Sequence, residues 1–157
     1  MDKLLEFLHQ KEYSVLYDSD IDPQDLYTWR ECLKDKQNIV VFLFPHNKYV
    51  IGFHYFQQHD TWTNSWTTDP THFIFYFDEV HTMHVFYKQN CQKGVLFGTD
   101  REFYFGSYGS FALFREENSF RCRIWADVQT FCPGFPPCFV PFEIYQTDRV
   151  VVCQVYS

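Results

Sequence analysis

The chain has no cluster of basic residues. Its 157 residues hold 13 Lys and Arg against 20 Asp and Glu, a net charge of −7. Nucleic-acid binding rests on basic side chains set against phosphates. The nearest approach, Arg121 and Arg123, is too small a group. No nucleic-acid partner is expected, nor attraction to an anionic membrane surface. Long apolar runs are missing too. The longest, IVVFLF at 39–44, falls far short of the ~20 residues of a membrane span, so none is expected. The opening MDKLLEFLHQKEY has an acid at position 2 and no apolar stretch of the secretory kind. An intracellular, cytoplasmic location is therefore expected, and there the six cysteines read as thiols rather than disulfides.

Nor is there a phosphate-cradling loop. GTDREFYFGSYG carries glycines at 98, 106 and 109, but no helix signal and no Lys-Ser/Thr pair follows. Zinc spacing is absent: Cys132 and Cys138 are C-x5-C within a proline-rich loop, not the short C-x2-4-C of zinc sites. His81 and His84 are three apart where a turn enters a strand, which puts them on opposite sides. His54 and His59 flank a strand end. The segment YDSDIDPQDLY sets Asp18, Asp20 and Asp22 at alternate positions, as a calcium loop begins. Such a loop needs glycine at its sixth position and glutamate at its twelfth. Here those places hold Pro23 and Trp29, and Glu31 comes two residues late. No metal and no cofactor is expected. Asp22-Pro23 reads instead as the start of a helix over about 23–34, with Leu26, Trp29 and Leu33 on one face. Asp18 and Asp20 then lie solvated in its approach.

What the chain has is aromatic mass: 19 Phe, 11 Tyr and 4 Trp. Phenylalanine at this level favours strands and argues against disorder. Residues 2–9 read as a short helix with Leu4, Leu5 and Leu8 on one face. From 38 onward the period is that of strands. NIVVFLF (38–44) is apolar at consecutive positions, so both its faces should be covered. PHNK turns the chain into YVIGFHYFQQ (49–58), where Gly52 marks a bulge or a close backbone approach. THFIFYFD (71–78) alternates, with Phe73, Phe75 and Phe77 to one side and Ile74 and Tyr76 to the other. HVFYK (84–88) follows. A strand broken at Gly98 covers 95–109. In FRCRIWAD (120–127), Phe120, Cys122 and Ile124 face inward. VPFEIYQ (140–146) and RVVVCQVYS (149–157) close the chain as two strands. The length suits one domain, and no repeat or linker divides it. The expected class is α+β, mostly β: a two-sheet antiparallel β-sandwich bordered by a few helices.

Two side-chain sets invite a functional reading. HDTWTNSWTTDP (59–70) is a polar loop carrying Trp62 and Trp66. Tryptophan is a frequent interface anchor, and with Tyr55 the pair offers an alternative function, an aromatic platform for carbohydrate. Either tryptophan equally serves to cover the sheet edge. A second alternative is thiol-based redox catalysis, for which Cys91, near Lys93, and Cys132 are the candidates because both lie in loops. The bland reading of each is an inert thiol. Asp69-Pro70 reads as a turn entering the Phe-rich strand.

Taken in order, V-I-G-F at 50–53, W-T-T-D-P-x-x-F-I-F at 66–75, L-F-G-T-D at 96–100 and R-V-V-V-C-Q-V at 149–155 resemble the TLDc domain family. The resemblance covers about residues 14–156, with an N-terminal helix in 1–13. It implies a β-sandwich bordered by helices and a protein-interaction module linked to the oxidative-stress response. It also implies a protein partner, a subunit of the vacuolar proton-pumping ATPase, with no established reaction. Asp69 matches the acid before the family's Phe-aliphatic-Phe strand. Family members often carry a glutamate in the closing strand. Aligned on Gln154 and Val155, Val151 stands there, with Glu143 the alternative match one strand earlier. The interaction candidates are thus Trp62 and Trp66, from the polar loop, and Asp69 and Glu143, by the resemblance.

Overall fold

The computed structural model describes residues 1–56, 66–67, 69–87, 95–97, 103–107, 111–125, 128–136, 139 and 143–157. The chain is mostly β, antiparallel, with few helices. Helix α1 (Asp2–Leu8) leads into strand β1 (Glu12–Asp18) and helix α2 (Leu26–Leu33). Strands β2 (Ile39–Pro45), β3 (Val50–Tyr55), β4 (Trp66–Thr67), β5 (Phe73–Phe77) and β6 (Met83–Tyr87) follow. Then come β7 (Val95–Phe97), β8 (Phe103–Ser107), β9 (Phe111–Glu116), β10 (Ser119–Ile124), the short helix α3 (Val128–Phe131) and β11 (Ile144–Tyr156). Among the described residues the eleven strands join in one hydrogen-bonded order, β4-β7-β8-β9-β10-β11-β2-β3-β5-β6, with β1 also on β11.

β11 makes that single order possible. Its first residues, Ile144–Gln146, pair with β10, and its remainder pairs with β2 on one side and β1 on the other. The register breaks between Thr147 and Arg149, and a bulge there bends the strand and raises its twist. The sequence suggests two strands with a turn at this point. One bulged strand of 13 residues stands there instead.

Alternation decides the packing. Ile39, Val41 and Leu43 of β2 enter a large core with Ile51 and Phe53 of β3, Ile74 of β5, Trp29 and Leu33 of α2, and Phe105, Phe111, Phe120, Cys122 and Ile124 of β8 to β10. The ring of Phe53 lies 3.8 Å from that of Phe105, 5° from parallel, although β3 and β8 are five places apart in the strand order. Val40 and Phe42 point the other way, with Phe73, Phe75, Cys153 and Val155, into a second core under Leu4 of α1. Both faces of β2 are thus covered, as its unbroken apolar run requires, and the split of β5 follows the expected parity.

Gly52 is a close approach. A Cβ there would lie 2.4 Å from both the Phe75 ring and the Val41 carbonyl oxygen. Its pairs to Phe42 and Phe75 are in regular register, so it makes no bulge.

Other elements differ from the sequence reading as well. Helix α2 begins at Leu26, not at Pro23. Its cap is Asp25, whose carboxylate accepts from the Thr28 N–H at 2.7 Å and the Thr28 hydroxyl at 2.9 Å. β1 occupies what reads as an approach to that helix. β9 occupies a stretch to which the sequence reading assigns no element, and it reaches β10 through Glu117 and Asn118, both at positive φ (52° and 62°). That pairing of backbone angles is the tight hairpin turn matched to strand twist, reached here without glycine.

Candidate functional site

Helix α1 lies across the face built by β1, β11, β2, β3, β5 and β6. Seven residues of helix span about 10 Å, whereas six strands span about 24 Å, so α1 does not reach across the face from edge to edge. What it leaves includes an apolar cleft of about 490 Å³ lined by Met1, Asp2, Lys3, Phe42, Phe44, Val50, Phe77 and His81. β2 supplies Phe42 and Phe44, β3 supplies Val50, and β5 supplies Phe77, which stands opposite Val50. Lys3 closes one end by donating from Nζ to the His81 carbonyl oxygen at 2.7 Å, tying α1 to the β5–β6 turn. Apolar side chains continue outward on the same face. Tyr13 and Val15 stand opposite Val155 and Cys153, and are 47% and 53% exposed. At the far edge Phe7 packs on Phe73 and Tyr87, and Tyr87 is 57% exposed.

Two polar clusters flank this face. In the first, Asp18 is buried, not solvated as the sequence reading has it. Arg149 donates from Nε to Asp18 Oδ1 at 3.0 Å and from Nη2 to Oδ2, and Nε also lies 3.3 Å from Asp20 Oδ2. That guanidinium bond, against the opposing cost of burial, holds the Asp18 carboxyl below the usual range. The Asp20 N–H also donates to Asp18 Oδ1, the Asp18 N–H donates to Asp22 Oδ2, and Ser19 exchanges bonds with the Val150 backbone. The alternate aspartates therefore staple the β1–α2 connection to the bulge of β11.

In the second, His54, Asp69 and His72 are all buried. Asp69 accepts from the Phe56 N–H at 2.7 Å, and from the Thr71 N–H and hydroxyl at 2.9 and 2.6 Å. Asn38 donates to the Val155 carbonyl, which leaves its Oδ1 to face His54 Nε2 at 2.7 Å. His54 Nε2 is therefore the donor. His72 Nδ1 donates to the His54 carbonyl at 2.7 Å. Burial pushes the His54 pKa down, opposed by the Thr71 carbonyl and the Asp69 charge. These bonds knot together the ends of β2, β3 and β11 and the start of β5.

The sequence-predicted residues scatter. Asp69 is buried and ties the Phe56 and Thr71 backbone together. Glu143 is exposed, and its carbonyl oxygen accepts from the Ile124 N–H. The Trp66 backbone pairs with Leu96 as part of β4, inside what reads as a loop. Trp62, Cys91, His59 and Cys138 lie outside the described residues. Cys132, a redox candidate because the sequence sets it in a loop, is buried against the large core just after α3. Tyr55 is 2% exposed, which removes it from any sugar platform. His84 Nε2 bonds Asp78 at 2.9 Å, and among the described residues no group of three His, Cys, Asp or Glu gathers to hold a metal. Among the described residues no helix is long and apolar enough to cross a membrane. The sequence reading missed Arg149, Asn38 and Lys3. Arg149 alone left a signal, as a lone cation at the head of an aliphatic strand.

The arrangement offers an apolar cleft with aromatic side chains beside it, while the polar clusters are spent on internal ties. No protein-family model matches the chain, and no curated protein matches it.

Proposed function

We propose that the chain is a TLDc-like module, a two-layered β-sandwich bordered by helices, that works in the cytoplasm by binding another protein. In this reading it serves the oxidative-stress response through a subunit of the vacuolar proton-pumping ATPase, and it carries no reaction of its own. The stack of Phe53 on Phe105, across strands five places apart, supports the two layers.

The observation that carries the function is the apolar cleft beside α1, over Phe42, Phe44, Val50 and Phe77. A concave apolar site on a folded chain is a natural place for a partner's apolar side chain to seat. The experiment is equilibrium binding of the purified chain to the purified peripheral sector of the pump. Saturable binding is expected, and its absence overturns the assignment of partner.

A further inference from the structure

Among the described residues β1, β4 and β6 are paired on one side only. An open edge presents unpaired N–H and C=O groups, and natural sheets blunt it with charge, proline, a bulge or brevity. β4 is two residues long. β1 opens on Glu12, just after Lys11, and breaks register between Val15 and Tyr17. β6 has none of these devices. It reads MHVFY, with no Lys, Arg, Asp, Glu or Pro, and makes five regular pairs with β5. Its two faces are both apolar: Met83 and Val85 pack on the α1 side, and Phe86 packs on the large core.

We propose that β6 is a self-association edge, at which two copies of the chain pair antiparallel about a two-fold axis at Val85. The register is self-complementary. It sets Val85 opposite Val85, His84 opposite Phe86, and Met83 opposite Tyr87 of the second copy. Aromatic and sulfur–aromatic cross-strand pairs are favourable, and no like charges meet. The cross-strand stack of Tyr49, Tyr76 and His84, with ring separations of 5.8 and 4.4 Å, ends at this edge. Phe86 of the second copy continues it. A foreign strand has no reason to match this register, whereas a second copy matches it by construction.

Sedimentation velocity over a concentration series tests the proposal. The wild-type chain is expected to pass from monomer to dimer. Met83→Glu and Tyr87→Lys should each raise the dissociation constant about tenfold, since each acts at two symmetric pairs. The double variant sets opposite charges across both pairs and should return within about threefold of wild type. Thermal melts confirm folding, and Tyr87→Lys alters the most exposed position of the strand. A wild-type chain that stays monomeric throughout overturns the proposal. So does a dimer that neither single variant weakens or that the double variant does not restore, or a monomer whose β6 amides are protected only by a foreign peptide.

Discussion

His54 illustrates how a single buried side chain carries a pH dependence. Its Nε2–H is committed to Asn38 Oδ1, and burial keeps its folded-state pKa below the ordinary 6.5. The unfolded chain takes up the proton more readily, so stability rises with pH through this range and is lost as pH falls below about 6.5. Urea midpoints at pH 7.5 and 5.5 should show the fall, and His54→Gln should flatten it. An unchanged slope would remove His54 as the cause. Asp18 acts at lower pH, because its carboxyl is held below the usual range. Its contribution is present above the unfolded value and lost as pH drops through the folded one. Asp18→Asn leaves Arg149 without its main partner and should cost about 2 kcal/mol at neutral pH, read by chemical denaturation. Neither role was legible beforehand. An aspartate before a helix signal reads as solvated, and only β11, 131 residues away, reveals its arginine.

At the scale of elements, alternation was the signal that transferred. The parity of Phe73 to Phe77, the inward set Phe120, Cys122 and Ile124, and the doubly covered β2 all follow from side chains pointing to opposite faces in turn. The missed elements share a cause. β1 loses its alternation at the Leu16 bulge, and β9 turns into β10 through Glu117-Asn118, which carries no glycine to announce it. β11 contains Thr147-Asp148, which read as a break but are a bulge within one strand. Gly52 is legible for a good reason: glycine in an apolar strand marks a place where something lies close. Here the Phe75 ring and the Val41 carbonyl fill the space. Gly52→Ala must shift one of them and should destabilise by about 1–3 kcal/mol, measured by chemical denaturation. A neutral substitution would show that the two strands yield without cost.

For the whole molecule, the helices do unequal jobs. α2 sends Trp29 and Leu33 into the large core, whereas α1 is too short for the face it crosses and leaves a cleft beside it. The sequence made the apolar composition of that face legible. It could not make its exposure legible, since that depends on how much sheet the fold opens beneath seven residues of helix. The proposed function rests on this cleft, and a charge placed in it discriminates sharply. The deciding measurement is the dissociation constant for the peripheral sector of the proton pump, taken for wild type, for Phe44→Glu in the cleft and for Tyr27→Glu on exposed α2. The account predicts binding weakened about tenfold or more by Phe44→Glu and unchanged by Tyr27→Glu, with all three chains equally folded. Equal affinity of Phe44→Glu and wild type would contradict it.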